Sequence, residues 1–301
     1  MRLHLFTFAL VGFFVCAGFI QAEMTSSNYE IRWDTFSTGG SDTSSSSNYL
    51  LRDTVENGAA GRSSSSSYIL AQGYREGVYD QIITFDVQVQ DLSDGRSASG
   101  LSGTTITTSV SGISVGDYIA LIQDKGVNQV GAIGKVTSVG GSTITVDSLT
   151  DAGTPPSIDG SNDYVYQLDA SSIAFGELSS SSVSTAIIGI EVNVENDNGY
   201  VVQLFEDGDL RSGGNAITDV SDGAVSSGAT EYGARSSDTT LASSDFDSAD
   251  AAITTTYQDV ATESSASFSS RNFLTLKAAI ADGATAGSYS QTLSFIASGN
   301  F

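Results

Sequence analysis

Short runs of alternating apolar and polar residues recur along nearly the whole chain, and they constrain its fold more than any other feature. Val, Ile, Thr, Tyr and Phe dominate these runs, as in Ile82–Val89, and clusters of Gly, Asn, Asp and Ser separate them. A period of two places successive side chains on opposite faces of a strand, and the intervening clusters favour turns. Only the stretch Ser244–Thr256 has a composition compatible with a helix. The sequence therefore predicts an all-β protein built as an antiparallel β-sandwich, Ig-like or jelly-roll-like, with a small inserted β-barrel.

The first 22 residues have the layout of a secretory signal peptide. Arg2 precedes an apolar run from Leu3 to Ile20, after which Gln21-Ala22 leads into an abruptly polar chain. We expect cleavage after Ala22 and a secreted or cell-surface location outside the cytoplasm. Because the run reaches the lower limit of bilayer-spanning length, an uncleaved membrane anchor is the alternative interpretation.

Cleavage would remove the only histidine, His4, and the only cysteine, Cys16. The remaining chain of about 280 residues would then lack imidazole and thiol groups. This absence excludes Ser-His-Asp and Cys-His catalysis, zinc sites built on His or Cys, haem ligation and disulfides. We therefore predict that the protein is not an enzyme and that packing and backbone pairing stabilise it.

The chain is strongly acidic. Its formal net charge is −23, and loss of Arg2 with the leader would bring it to about −24. Such a surface repels phosphate groups, so we expect neither nucleic acid nor an anionic membrane as a partner. Solubility in a saline exterior accounts for the charge without any dedicated cation site.

Residues 23–78 form a Ser/Tyr repeat segment. Ser26-Ser27-Asn28-Tyr29 is followed by Ser46-Ser47-Asn48-Tyr49 and by Ser66-Ser67-Tyr68, so the tyrosines are 20 and 19 positions apart. A regular period indicates one supersecondary unit that is copied, here a short strand with a turn. The serine runs Ser44–Ser47 and Ser63–Ser67 leave open a second interpretation, a flexible or glycosylated linker.

The remaining chain is predicted to be a sandwich interrupted by an insertion. Residues 79–92 and 168–301 would form the sandwich, and residues 93–167 the small barrel, because an insertion is tolerated where the flanking ends stay close. Gly140-Gly141 predicts a hairpin inside the barrel, and Asn198-Gly199 predicts a tight hairpin before the strand that starts at Tyr200.

Several segments resemble a known group of exported proteins. They are Ile173–Leu178, Asn198–Val202, Tyr232-Gly233 and Ala286–Phe295, together with the N-terminal repeats. In these segments the chain resembles secreted surface proteins with Ser-Ser-Asn-Tyr repeats from small uncultured bacteria, whose C-terminal region looks like the β-sandwiches of WxL-type and spore-coat-like surface proteins. The resemblance implies an extracellular structural or adhesive role. The Trp-x-Leu signature is missing, since Trp33 is followed by Asp34-Thr35, so peptidoglycan attachment of that type is not implied.

Acidic turns supply the only candidate metal ligands. These candidate calcium ligands are Asp197, Asp207, Asp209, Asp159 and Asp163. Calcium binds six to eight oxygen atoms, which such turns can provide. None of the turns has the alternating Asp/Asn pattern closed by a glutamate, and solvated turns favour Asp and Asn for backbone reasons alone. Calcium is therefore one interpretation of these residues, and ordinary solvated turns are the other; no other cofactor is expected.

Three functional hypotheses follow. The first is a non-enzymatic structural or assembly protein of the cell surface that associates with itself or with other surface proteins through edge strands. The second is an adhesin, or a glycan- or protein-binding module, that uses loops of the sandwich and barrel. The third, a secreted glycoside hydrolase, is the weakest because no pair of carboxylates is fixed in one cleft with an aromatic platform.

Overall fold

The computed structural model describes residues 83–196 and 198–300, together with the backbone of short strands between residues 25 and 72. The chain divides into two compact units, residues 1–80 and 81–301. In the described part every regular element is a strand, so the predicted all-β class is confirmed. The leader, the serine run Ser44–Ser47 and the calcium candidate Asp197 lie outside the described residues.

The first unit contains strands in each of the three sequence repeats. They are β1 (Thr25–Ser26), β2 (Tyr29–Glu30), β3 (Leu51–Asp53), β4 (Gly61–Ser64) and β5 (Ile69–Gln72). β1 and β2 form an antiparallel pair, while β5 lies between β3, to which it is parallel, and β4, to which it is antiparallel. Each repeat thus has a strand that contains its tyrosine or follows it in the sequence.

The second unit contains all the longer strands. They are β6 (Ile83–Val89), β7 (Arg96–Ser102), β8 (Thr105–Thr108), β9 (Tyr118–Gln123), β10 (Val130–Gly140), β11 (Thr143–Val146), β12 (Thr150–Asp151), β13 (Tyr164–Gln167), β14 (Ser184–Val194), β15 (Tyr200–Glu206), β16 (Leu210–Ser212), β17 (Asn215–Asp219), β18 (Glu231–Ser236), β19 (Gln258–Glu263), β20 (Ser267–Ala279) and β21 (Leu293–Gly299).

Six of these strands close into a barrel. The order is β7, β8, β11, β10, β9 and β13, with β13 pairing back to β7, and β12 adds to the side of β10. Alternate residues fill the interior, among them Ile106, Ile119 and Ile144, which are fully buried. Gly140 pairs with Thr143 across a two-residue turn, which confirms the hairpin predicted at Gly140-Gly141.

The sandwich consists of a large and a small sheet. The large sheet has the order β16-β17-β18-β20-β14-β6, and the small one has the order β19-β15-β21. All pairs are antiparallel except β17 with β18. Inward-facing Tyr200, Val202 and Leu204 of β15 are fully buried against the large sheet, as the alternating sequence of this strand predicts.

The barrel is inserted between β6 and β14, which pair directly with each other. Beside the insertion, Val89 pairs with Ile188 and bridges to Ala170, so both ends of the insert meet at one place. The barrel then packs on the outer face of the large sheet, where Ile122 and Ile133 share a buried cluster with Phe273. This contact explains why β14 is apolar on both faces, since one face meets the sandwich core and the other meets the barrel.

Two local predictions are wrong. Residues 244–256 form turns instead of a helix, because their backbone groups bond to β18: the Ser236 N–H donates to Phe246, and Ala251 exchanges hydrogen bonds with Ala234. Asn198-Gly199 does not close a hairpin, since it carries the chain from β14 in the large sheet to β15 in the small one. Gly199 does have the expected positive φ, 75°.

Candidate functional site

One side of the sandwich ends in two strands that have a neighbour on only one side within the described part of this unit. β6 closes the large sheet and β21 closes the small one, and the two strands lie beside each other. Their inward side chains, including Phe85 and Phe295, are only half-buried, although both contact the sandwich core. The apolar side chains along this side of the sandwich are therefore more exposed to solvent than those of the core beneath them.

The hydrogen bonds of β21 show which of its backbone groups are free. The Asn300 N–H donates to the Gly199 carbonyl, and the Asp207 N–H donates to the Thr292 carbonyl. Both bonds fit one antiparallel register, in which hydrogen-bonded pairs alternate with non-bonded pairs. The groups of residues 294, 296 and 298 therefore point to β15. Those of residues 293, 295, 297 and 299 point to the open edge, where no described residue of this unit bonds to them.

The open edge of β21 lacks the features that normally prevent strand addition. Such features are charges, prolines, bulges and very short length. β21 has seven residues, Leu-Ser-Phe-Ile-Ala-Ser-Gly, with no charge or proline, and its register with β15 is continuous. Ile296 is 40% exposed on its outer face. β21 is thus a long, uncharged and regular edge.

The opposite edge of the same small sheet is protected. β19 carries Asp259 and Glu263, and its pairing with β15 contains an irregularity between Val202 and Gln203. At the far edge of the large sheet, β16 has only three residues and includes Arg211. The contrast with β19 and β16 singles out β21 as the edge at which another strand could be added.

A second candidate site is an acidic cluster at the end of β15. Ligand atoms of Glu206, Asp209 and Asp219 all lie within 4.8 Å of one another. Glu206 is 3% exposed and accepts a hydrogen bond from the Tyr232 hydroxyl. Oδ1 of Asp219 is buried without a hydrogen-bond partner among the described residues. Carboxylate oxygens are ligands that calcium prefers, but three carboxylates do not fill its coordination shell of six to eight oxygens. Water molecules or backbone carbonyls would have to supply the remaining ligands.

Burial dominates the titration of this cluster. It raises the pKa of Glu206 from 4.5 to about 7, although the Tyr232 hydroxyl acts in the opposite direction, and the charge of Asp219 raises it further. Burial also raises the pKa of Asp219 and that of Tyr232. Near neutral pH the cluster therefore holds a proton on Glu206 for part of the time.

The predicted calcium ligands lie in separate places. Asp159 and Asp163 share the turn before β13, where Asp163 accepts hydrogen bonds from the N–H groups of Asp124, Asp159 and Gly160. The Asp159 carboxylate accepts one from the N–H of Ser161. The Asp159 carboxylate serves the turn itself, whereas the buried Asp163 carboxylate also joins the turn to Asp124 after β9.

Asp207 and Asp209 follow β15, but only Asp209 belongs to the acidic cluster. Asp207 forms an exposed ion pair with Arg211 at 2.7 Å and accepts a hydrogen bond from the N–H of Thr292. The hydrogen bonds from Arg211 lower the pKa of Asp207. The structure thus brings Asp209 together with two residues that the sequence analysis did not select, Glu206 and Asp219.

A signal for Glu206 was present in the sequence. Tyr200, Val202, Leu204 and Glu206 occupy every second position of one strand, so the glutamate falls on the face that the apolar residues bury. A carboxylate at an inward position is unusual and marks a polar site inside the core. The sequence gives no comparable signal for Asp219, because Asp219 comes close to Glu206 only through the pairing of β17 with β18.

Comparisons of the chain with protein-family models, with curated proteins and with solved structures found no match. The resemblance to repeat-containing surface proteins therefore stays a prediction from the sequence. Among the described residues, no helix is long and apolar enough to cross a membrane.

Proposed function

We propose that this protein is a non-enzymatic structural component of the cell surface, exported by its N-terminal leader, that associates with other copies of itself by strand addition at β21. The observation that carries the proposal is the free edge of β21. In this strand of seven uncharged residues, the backbone groups of residues 293, 295, 297 and 299 have no partner among the described residues of this unit, whereas β19 at the other edge of the same sheet is protected.

Charge favours the same edge as the place of contact. Two copies that each carry a formal charge of −23 repel one another, and the repulsion is smallest where neither contact surface bears a carboxylate. β21 supplies such a surface, while β6 carries Asp86. Backbone pairing adds affinity without requiring any particular side chain, which fits a chain that lacks a recognisable catalytic constellation.

Two arrangements use this edge. Antiparallel pairing of two β21 strands gives a closed dimer, and pairing of β21 with β6 of another copy gives an open chain of molecules. Both arrangements need the outward N–H groups of residues 295 and 297. A variant that removes one of these donors therefore tests the proposal whichever arrangement forms.

The experiment compares the exported wild-type protein with Ala297→Pro and Ala297→Ser by sedimentation velocity across the micromolar range. Proline is tolerated where the strand N–H faces outward, so Ala297→Pro keeps the pairing with β15 and loses one edge donor. Ala297→Ser changes the side chain and keeps the donor. We expect mass growth with concentration for the wild type and for Ala297→Ser, and a monomer for Ala297→Pro.

Two outcomes would count against the proposal. A wild-type protein that stays monomeric at all concentrations would favour the alternative hypothesis of a ligand-binding adhesin. Equal assembly of Ala297→Pro, with a circular dichroism spectrum like that of the wild type, would show that self-association uses another surface.

A further inference from the structure

The strand at the free edge of the small sheet, β21, has a sequence that is complementary to itself. Its seven residues are Leu-Ser-Phe-Ile-Ala-Ser-Gly, with Ile296 at the centre and a serine two positions away on either side. The inward positions before Ile296 hold the large residues Leu293 and Phe295, and those after it hold the small residues Ala297 and Gly299. Two copies of this strand, aligned antiparallel about Ile296, therefore place a small residue opposite each large one.

The facing side chains of this alignment match on both sides of the sheet. On the inward side, Phe295 of one copy lies opposite Ala297 of the other, and Leu293 lies opposite Gly299. On the outer side, the serines lie opposite each other, and Ile296, which is 40% exposed, lies opposite Ile296 of the second copy. Directly opposed side chains of antiparallel strands contact each other, so this matching stabilises the pair.

The free backbone groups of β21 favour the same register. Two residues of an antiparallel pair exchange hydrogen bonds only when the N–H and C=O groups of both point at the partner strand. In β21 these are residues 293, 295, 297 and 299. Alignment about residue 296 pairs all four of them, 293 with 299 and 295 with 297. Alignment about residue 295 or 297 leaves one of the four without a partner in the other strand.

The neighbouring edge strand β6 is a poorer partner for β21. Because the Gln90 N–H donates to β14, the alternating pattern directs the groups of residues 83, 85, 87 and 89 to the open edge of β6. The Val89 carbonyl already accepts the N–H of Ala170, and Asp86 is an exposed charge on the outer face. A second copy of β21 therefore offers β21 more free backbone groups than β6 does, and it offers them without a carboxylate.

We propose that two copies of this protein form a closed dimer with twofold symmetry, in which the two β21 strands pair antiparallel and Ile296 lies on the symmetry axis. This inference rests on the proposed self-association at β21 and selects one of its two arrangements. A twofold interface uses the same surface of both copies, so assembly stops at two. The three-stranded small sheets of the two copies then join into one continuous sheet.

Cysteine pairing tests the register, because a disulfide needs Cα atoms about 4.4–6.8 Å apart. Cys16 is the only cysteine of the chain, so each variant carries one new cysteine in a Cys16→Ser background. Ile296→Cys should form a linked dimer by itself in oxidised glutathione, since facing residues without mutual hydrogen bonds lie about 4.5 Å apart.

The matched controls are the serines on the same outer face. Ser294→Cys should not link to itself, because residue 294 of the second copy is displaced by four positions, or about 14 Å, along the strand. Mixing Ser294→Cys with Ser298→Cys should produce a linked heterodimer. At equal protein concentration, we expect Ile296→Cys alone and the mixed pair each to give at least tenfold more linked dimer than Ser294→Cys alone.

The outcomes separate this inference from the proposed function. Sedimentation in reducing buffer shows whether each variant associates, and the mass should level off at twice that of the monomer. Suppose that the wild type assembles, that Ala297→Pro does not, and that neither associating Ile296→Cys nor the mixed pair links. Strand addition at β21 would then stand, and the register about Ile296 would be wrong. Self-linking of Ser294→Cys, or growth beyond the dimer, would likewise overturn the closed arrangement. A monomeric wild type would overturn both proposals.

Discussion

Tyr232 on β18 donates a hydrogen bond to the carboxylate of Glu206 at the end of β15, so a polar pair joins the two sheets inside the sandwich. Both side chains are almost fully buried, with exposed fractions of 3%. The burial that raises the pKa of Glu206 to about 7 ties the stability of this contact to pH.

The first prediction concerns this pH dependence. Because the folded-state pKa of Glu206 lies above the unfolded value of 4.5, the folded protein holds the proton more tightly, and its contribution to stability is full below about pH 4.5 and lost as the pH rises through 7. At about 1.4 kcal/mol per pKa unit, the loss approaches about 3 kcal/mol. Glu206→Gln, which cannot ionise, should therefore unfold at higher urea concentration than the wild type at pH 8, and at a similar one at pH 5.

The control for this prediction is Glu177→Gln, at an exposed loop position. Its urea midpoint should follow that of the wild type at both pH values. If the difference in urea midpoint between the wild type and Glu206→Gln is the same at pH 5 and at pH 8, the fold does not hold Glu206 protonated.

The second prediction concerns the ion network between barrel and sandwich. Arg271 of β20 bonds to Glu191 at 2.7 Å and to Asp147, between β11 and β12, at 2.6 Å, and its side chain is 4% exposed. Burial alone would raise the pKa of Asp147, but the hydrogen bonds from Arg271 and from the backbone N–H groups of Ser148 and Lys135, with the charge of Arg271, together outweigh burial and lower it. Arg271→Met should cost about 3 kcal/mol of unfolding free energy, because it removes the guanidinium partner of the buried Glu191 carboxylate.

Two variants test the cause of that loss. Adding Glu191→Gln to Arg271→Met should restore part of the stability, since it removes one unpaired charge. Arg211→Met breaks an exposed ion pair of the same type and should change the free energy of unfolding far less than Arg271→Met does. Equal losses for Arg271→Met and Arg211→Met in chemical denaturation would contradict the account of a buried network.

The third prediction concerns the connection between the two sheets. A Cβ atom at Gly199 would lie 1.9 Å from the carbonyl oxygen of Glu263, and the φ angle of 75° already disfavours a side chain. Gly199→Ala should therefore lower the free energy of unfolding by more than about 3 kcal/mol. Gly213→Ala, with φ of 59° and open space around the Cβ position, should cost only about 1 kcal/mol in the same thermal or urea titration. Similar losses of unfolding free energy for the two variants would show that the contact with Glu263 does not determine the effect of Gly199→Ala.

Local patterns predicted most of the fold. The alternation in β15 and the turn at Gly140-Gly141 both specify structure through nearest neighbours, and both predictions are confirmed. Residues 244–256, whose composition is compatible with a helix, form turns instead because Ala251 has a backbone partner in Ala234 of β18. Asn198-Gly199 failed in another way, since a turn dipeptide determines φ angles but does not determine which sheet the next strand joins.

The candidate sites were less accessible to sequence reasoning. Asp209 was selected, but Glu206 and Asp219 reach it only through the packing of β15 and β17 in opposite sheets. The sequence shows that residues 293–299 are uncharged, but it does not show that this strand lies at the edge of a sheet.

The fourth prediction concerns the outer face of β21. Ile296→Lys places a charge at an exposed position of the free edge and should suppress self-association without loss of stability, as edge lysines do in natural sheets. Phe268→Lys is the matched control, since it removes a similarly exposed apolar side chain from β20, an interior strand. Light scattering should show mass growth for Phe268→Lys and not for Ile296→Lys. Suppression by both variants would indicate general hydrophobic attraction instead of strand addition.

Residue-resolved hydrogen exchange along β21 distinguishes an open sheet edge from an edge that is paired with another copy. In dilute monomer, the amides of Phe295 and Ala297 should exchange fast because they face the open edge, while those of Ile296 and Ser298 should be protected by β15. At concentrations where the protein assembles, Phe295 and Ala297 should become protected as well. Assembly that leaves these two amides exchanging as fast as in the monomer would contradict strand addition at β21.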